Sequence, residues 1–125
     1  MKMYQVIELN NFYPKIKDMK VPVKTAYKFT KLMRQVEKEV EFYQNKFNEL
    51  VLEYGQYDET GHLKTTEDGL SIAILPGKES DCAEKLSELR NLEIELINIK
   101  FTIDELSDLD ISIAELENLM PFIED

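Results

Sequence analysis

The feature that most limits how this chain can fold is a hydrophobic seam over residues 22–54. Apolar side chains recur there in alternating steps of three and four, which places them along one side of an α-helix. The seam consists of Ala26, Phe29, Met33, Val36, Val40, Tyr43, Phe47, Leu50 and Tyr54. Pro22 marks the start, because the residue before a proline avoids the helical region, and Gly55 can close the helix in a left-handed conformation. At about 1.5 Å per residue the predicted helix is about 50 Å long.

Before this helix, the pattern changes from a period of two to a helical one. Residues 3–9 alternate and are rich in strand formers, so they predict a short N-terminal strand. Asn10 or Asn11 can then cap a short helix with Pro14 in its first turn, where the missing N–H costs nothing.

After the long helix, two further elements are predicted. A small β-hairpin is expected over residues 62–75, turning at 67–69. A second helix over residues 81–92 begins with a capping box formed by Asp81 and Glu84. Its inward side is predicted to hold Cys82, Ala83, Leu86 and Leu89.

The C-terminal part predicts one strand and one helix. Alternation over residues 93–103 predicts a strand, for which the N-terminal strand is the expected partner. Ser112 and Glu115 form a capping box for a last helix over residues 112–120. Its inward face is predicted to hold Ile113, Leu116 and Met120.

Together these patterns predict an α+β fold that is mainly α, in a single domain over residues 1–125. One long helix packs against a shorter second helix and a C-terminal helix, with the hairpin and the two-stranded pairing beside them. The second helix covers only about 18 Å of the long one. We therefore expect part of the remaining seam to be covered by another protein molecule.

Composition indicates a folded, soluble protein. The chain is 43% hydrophobic, with six Phe and six Tyr, which is too apolar for a disordered segment despite a net charge of -10. Cys82 is the single cysteine, so no intrachain disulfide can form, and the chain starts without the apolar core of a signal peptide. No apolar run approaches the roughly 20 residues that span a bilayer. The expected compartment is the cytoplasm.

The charges are unevenly distributed along the chain. Residues 1–34 carry eight basic side chains against two acidic ones, whereas residues 79–125 are strongly acidic. This layout could join the two ends within one molecule, order protomers head to tail, or present an acidic face to a basic partner. It could also be a set of solvated faces that keeps the protein soluble.

No residue pattern predicts a catalytic, metal or cofactor site. His62 is the only histidine, and neither it nor Cys82 has a partner of the kind that a metal site or a nucleophile needs. The run from Asp58 to Gly61 lacks the alternating ligands of a calcium loop and predicts a turn. No Gly-rich phosphate loop occurs, and the negative charge opposes nucleic-acid binding. We predict no enzymatic activity and no cofactor.

Several short motifs are shared with a known group of proteins. They are Val21-Pro22-Val23-Lys24 with Ala26-Tyr27-Lys28, Tyr54-Gly55, the Asp58-Glu59-x-Gly61 turn, Leu92-Glu93-Ile94-Glu95-Leu96, Ile111-Ser112-Ile113-Ala114-Glu115-Leu116 and Pro121-Phe122-Ile123. In these the chain resembles a family of small proteins of unknown function from tailed phages and prophages of Gram-positive and gut bacteria. It departs from the family over residues 12–19, where members are more regularly helical. The resemblance implies a phage origin, a host bacterial cytoplasm and no particular activity.

Three functional hypotheses follow. The first is a protein-binding protein that inhibits a bacterial defence or host enzyme through an acidic surface and the long helix. The second is a virion structural or assembly component that forms a homo-oligomer through the seam. The third is a binder or sponge for a small molecule such as a nucleotide, held by the basic N-terminal residues. The predicted interaction residues are Phe29, Met33, Tyr43, Phe47, Glu84, Glu88, Asp104, Glu105, Asp108 and Asp110.

Overall fold

The computed structural model describes residues 1–67, 69 and 71–124, which form two compact units. Unit 1 comprises Met1–Glu41 and Glu93–Asp125, and unit 2 comprises Phe42–Leu92. Helix α2 (Val23–Tyr54) contributes to both units. The mainly helical character that the sequence predicts is confirmed.

The N-terminal strand predicted over residues 3–9 is wrong, because the chain forms helix α1 (Met3–Ile16) there. Its buried residues are Met3, Val6, Leu9, Phe12 and Ile16, a helical spacing that a strand could not bury on one face. The predicted start at Asn10 or Asn11 is wrong for the same reason. The Lys2 backbone N–H instead donates to Gln5 Oε1 at 2.8 Å, which closes the first turn.

Helix α2 follows the predicted seam closely. Phe29, Met33, Val36, Tyr43 and Tyr54 are buried. Val40, Phe47 and Leu50 are half-buried, whereas Ala26 is exposed. The seam pattern did not include Thr25 and Leu32, which are both buried.

The helix ends before Gly55, although not by the predicted left-handed cap. The glycines with positive φ are Gly61, Gly69 and Gly77. Gly55 is required for a different reason: a Cβ there would lie 2.5 Å from the Val51 carbonyl oxygen and 2.6 Å from Leu63 Cδ2. Close packing of the backbone, and not the sign of φ, selects glycine at this position.

The strand predicted over residues 93–103 is also wrong. This segment contributes only single bridges, an antiparallel one between Lys2 and Glu93 and a parallel one between Phe101 and Ile123. The Gln35 side chain accepts from the Ile97 N–H and donates to the Glu95 carbonyl, so an α2 side chain supplies bonds that a neighbouring strand would provide. The physical reason is that the expected partner is a helix and offers no strand edge.

Two short helices follow this segment. Helix α4 (Ile103–Leu106) was not predicted, although Thr102 and Glu105 form a complete capping box for it. Helix α5 (Ile113–Leu119) has the predicted box of Ser112 and Glu115 and continues into a 3-10 turn, Met120–Phe122.

The inward face predicted for α5 is largely wrong. Leu119 is buried and Leu116 half-buried, whereas Ile113 is 82% exposed and Met120 56% exposed. The helix packs against α1, most of whose length the sequence did not predict to be helical.

Phe101 is the largest fully buried side chain among the described residues of unit 1. Its ring is fully buried and lies 4.4 Å, centroid to centroid, from the Phe29 ring at an angle of 33°. Leu32 and Val36 of α2 and Val6 of α1 are fully buried as well. Phe29 of α2 therefore packs on Phe101 of the extended segment 93–102, and the buried residues of α1 belong to the same compact unit.

In unit 2, the predicted hairpin over residues 62–75 is not confirmed. The described residues form isolated bridges, between Gly55 and Ile74, Tyr57 and Leu63, and Thr65 and Ile72. Asp68, in the predicted turn, lies outside the described residues. A small ladder whose apolar side chains are only half-buried has little to stabilise it as regular strands.

Helix α3 (Glu79–Arg90) begins two residues before the predicted start at 81. The predicted capping box of Asp81 and Glu84 is absent, because the N-cap is Lys78. Of the predicted inward residues, Leu89 is buried, Cys82 and Leu86 are half-buried, and Ala83 is exposed.

Candidate functional site

The apolar residues predicted to bind a partner are mostly core residues. Phe29, Met33 and Tyr43 are only 6%, 2% and 7% exposed, so their surface is already covered within the chain. Phe47 is half-buried and stacks on Tyr43 with ring centroids 6.0 Å apart. Of the four, Phe47 alone keeps surface for a ligand.

Ion pairs within unit 1 neutralise part of the uneven charge distribution. Basic side chains near the N-terminus pair with acidic ones near the C-terminus, and the N···O distances are 3.9 Å for Lys2–Glu93, 2.6 Å for Lys15–Glu115 and 2.8 Å for Lys28–Glu105. This matches the alternative in which the two ends join within one molecule. It also occupies three of the eight basic side chains of residues 1–34 that a phosphorylated ligand could use.

Glu105 is a structural residue and not a free acidic group. Its Oε1 accepts from Lys28 Nζ at 2.8 Å and from the Thr102 backbone N–H at 2.9 Å. The Lys28 bond, followed by the Thr102 bond, holds the pKa of this carboxyl below its usual value. Lys28 also donates to the Lys100 carbonyl at 2.7 Å, so one ammonium links α2 to the extended segment and to α4.

The remaining predicted acidic residues are exposed. Glu84 and Glu88 lie on α3, Asp104 lies on α4, and Asp108 and Asp110 follow α4. The structure gives these five carboxylates no ion pair with the described residues, so their charge faces solvent.

A groove between α2 and α3 in unit 2 combines apolar and acidic groups. Its volume is about 410 Å³. The described lining residues are Phe42, Lys46, Glu49, Leu50, Glu53, Lys85, Glu88, Leu89 and Leu92. Phe42 is 43% exposed and Leu92 39% exposed, so both large apolar side chains keep surface that a partner can cover. We call this surface the α2–α3 groove.

Both lysines of the α2–α3 groove already have neighbours. Lys46 Nζ lies 3.2 Å from Glu49 Oε2. The Lys85 ammonium lies 6.0 Å from the centre of the Tyr54 ring, and Tyr54, followed by Glu53, raises the Lys85 pKa. Glu88 has no such partner among the described side chains. The groove therefore combines apolar side chains with a carboxylate, that of Glu88, which has no ion-pair partner among the described residues.

A second concavity in unit 2 has a different chemistry. It has a volume of about 480 Å³ and lies between α2, the segment that follows it and α3. The described lining residues are Phe47, Leu50, Val51, Thr65, Gly69, Ser71, Ile72, Ile74, Cys82 and Leu86. None of these residues carries a formal charge. We call it the unit 2 cavity, and the sequence patterns did not reveal it because its walls come from three separate segments.

The turn after α2 brings together Asp58, Thr60 and His62. Asp58 Oδ1 accepts from the Thr60 hydroxyl at 2.6 Å and from the backbone N–H groups of Thr60 and His62, at 2.8 and 3.0 Å. Thr60 Oγ1 also lies 2.7 Å from His62 Nδ1. These bonds, with the Thr60 hydroxyl first, lower the Asp58 pKa. They are the bonds of an Asx turn, and all three side chains are exposed.

The described residues form neither a metal-binding cluster nor a membrane-spanning helix. Among the described residues, no group of three or more His, Cys, Asp or Glu side chains is arranged to hold a metal ion. No helix in this part of the chain combines the length and the apolar character that crossing a membrane requires.

Comparison with known proteins gave no relative. No protein-family model matches the chain, and no curated protein or solved structure is significantly similar to it.

Proposed function

We propose that this chain is a protein-binding protein without catalytic activity, which engages a basic partner through the α2–α3 groove. The partner is a bacterial defence or host enzyme that the chain inhibits, in keeping with the resemblance to small phage proteins. The observation that carries the proposal is that one groove holds the exposed Phe42 and Leu92 together with Glu88, which forms no ion pair with the described residues.

Physical chemistry supports this assignment of the groove. Large apolar side chains exposed beside each other in a concave surface lose unfavourable hydration when a partner covers them. Carboxylates at the edge attract and orient lysine or arginine side chains, which adds specificity and speeds association. An amphipathic helix with apolar and basic residues has the form that a groove between two helices accepts.

The test is capture of partners from a bacterial lysate with the full chain and matched variants. The groove variant is Phe42→Ser with Glu88→Lys, and the control is Tyr27→Ser with Glu37→Lys. The control residues are also exposed on α2, and Tyr27 is 62% exposed. We expect proteins retained by the natural chain and by the control to be lost from the groove variant, and their retention to fall with rising salt. Equal retention by all three chains, or retention that salt does not weaken, would contradict the proposal.

Self-association is the second candidate, favoured by the same exposed Phe42 and Leu92. A second copy of the chain would cover them in a homo-oligomer, as expected of a virion assembly component. Light scattering at high protein concentration separates the two candidates. A monomer supports binding of a different protein, whereas a defined oligomer that the groove variant abolishes supports assembly.

A further inference from the structure

The described lining of the unit 2 cavity differs from the rest of the surface in its lack of charge. Charged residues make up 32% of the sequence, yet the ten described lining residues include none. Phosphate or carboxylate groups would find no cationic partner among them. The lining therefore disfavours nucleotides. Nucleotides are the ligands that the third hypothesis assigns to the basic N-terminal residues.

The apolar walls of the cavity are recessed. Phe47, Leu50, Val51, Ile72, Ile74, Cys82 and Leu86 are all half-buried. By contrast, Phe42 and Leu92 of the α2–α3 groove are exposed and suit contact with a protein. A recessed apolar wall is poorly reached by the flat surface of a folded partner, but a small molecule can enter it.

Two hydroxyl groups supply limited polarity. Thr65 and Ser71 line the cavity and are exposed, and their hydroxyls make no hydrogen bond to other described residues. Each can donate one hydrogen bond and accept another. A mainly apolar pocket with a few polar groups that fix orientation is the usual form of a small-molecule site, and about 480 Å³ lies within the usual size range of roughly 300–1,000 Å³.

We propose that the unit 2 cavity binds a neutral, mainly apolar small molecule with one or two hydrogen-bonding groups. The apolar part contacts Phe47, Val51 and Leu86, and the polar groups face Thr65 and Ser71. Binding removes apolar wall from water, which is the driving force for complexes of this kind. The lining of this site differs in chemistry from that of the α2–α3 groove, although Leu50 lines both. The small-molecule proposal does not depend on protein binding by the groove.

Cys82 provides a built-in probe of the cavity. It is the only cysteine of the sequence, it is half-buried, and it lines the cavity. A thiol reagent such as iodoacetamide therefore reports on access to the cavity in the unaltered chain. A bound molecule should slow this reaction.

The experiment uses 1-N-phenylnaphthylamine, a neutral apolar dye whose fluorescence rises in apolar surroundings. We expect saturable binding of one dye per chain with a Kd on the order of 10 µM, and at least about tenfold slower modification of Cys82 at saturation. ATP should give no protection. Absence of saturable binding, absence of Cys82 protection, or equal protection by ATP would each overturn the proposal.

A matched pair of variants locates the site. Val51→Phe places a larger side chain in the cavity, whereas Leu52→Phe changes the next residue, which is 65% exposed and lies outside the lining. We expect dye affinity to fall at least about tenfold in the first and to change less than about twofold in the second. Equal affinities would overturn the proposal. The Cys82 measurement needs no substitution, so it decides the matter even if Val51→Phe does not fold.

One further outcome identifies a different occupant. If Cys82 becomes protected as the protein concentration rises, without dye, a second copy fills the cavity and the small-molecule proposal fails. If protection is independent of protein concentration and appears only with dye, the proposal stands. Neither result depends on whether the α2–α3 groove captures a partner.

Discussion

The Lys28 ammonium donates a 2.8 Å hydrogen bond to Glu105 Oε1, which joins two residues 77 positions apart in the sequence. The same ammonium bonds to the Lys100 carbonyl and lies 5.7 Å from the centre of the Phe101 ring. Glu105 Oε2 is buried and has no hydrogen-bond partner. The stability of this part of unit 1 should therefore depend strongly on Lys28.

Lys28→Met is expected to destabilise the chain by about 1–3 kcal/mol, because it leaves a half-buried carboxylate without its cation. The matched change Lys15→Met removes the pair with Glu115, whose lysine is 47% exposed compared with 23% for Lys28. Lys15→Met should lower the free energy of unfolding by less than Lys28→Met does, since water replaces an exposed partner more readily. Urea denaturation of both variants measures the difference, and equal losses would show that burial does not set the strength of these pairs.

Stability should fall in acid because two glutamates have lowered pKa values. Hydrogen bonds from Lys28 and from Lys15, respectively, hold the pKa of Glu105 and of Glu115 below the ordinary 4.5. The unfolded chain thus binds protons that the folded chain does not, so the stabilisation is complete above about pH 5 and is lost as the pH falls through the folded pKa values. We expect Glu105→Gln to flatten the acid dependence of Tm. Glu117→Gln, an exposed change on α5, should leave it unaltered.

Substitutions in α1 test the correction of the predicted N-terminal strand. Leu9 is 1% exposed, so Leu9→Ala should cost about 2–5 kcal/mol by removing core packing. Asn11→Ala, on the exposed side of the same helix, should change stability by less than about 0.5 kcal/mol. Protection of backbone amides against hydrogen exchange through Val6, Leu9 and Phe12 would accompany a helix. A pattern of protection on alternate residues would contradict it.

Gly55 and Gly61 should respond differently to alanine. Gly55→Ala places a Cβ 2.6 Å from Leu63 Cδ2, so either the backbone or Leu63 must move. Gly61→Ala meets nothing within 4 Å, and its cost of about 1–2 kcal/mol comes from a φ of 85° alone. Both variants should be less stable in urea. A shift of the Leu63 methyl resonances in an NMR spectrum is expected for Gly55→Ala and not for Gly61→Ala.

Some features were predictable because they depend on neighbouring residues. The helical period of the seam identified α2 to within one residue of its start, and Pro22 and Gly55 bound it. The capping box of Ser112 and Glu115 located α5, since both partners lie within one turn. The Thr102 and Glu105 box has the same spacing and could have identified α4.

Other predictions failed where two periods fit the same residues. Met3 and Leu9 share one face of a strand and are also both buried in α1, so the short N-terminal pattern was compatible with either structure. Val6 decides the matter, since it is fully buried in α1. Its burial depends on packing against distant parts of the chain, which the local pattern does not contain.

The sequence by itself determined the long helix, the hydrophobic seam along it and the uneven distribution of charge. The tertiary structure decided which seam residues remain accessible, how basic and acidic ends pair, and where concave surfaces form. The reason is physical: helical periodicity and capping act within a few residues, whereas burial, ion pairing and cavities arise between segments far apart in the chain. The pair of Lys28 and Glu105 and the uncharged cavity around Val51 and Cys82 are both products of such distant contacts.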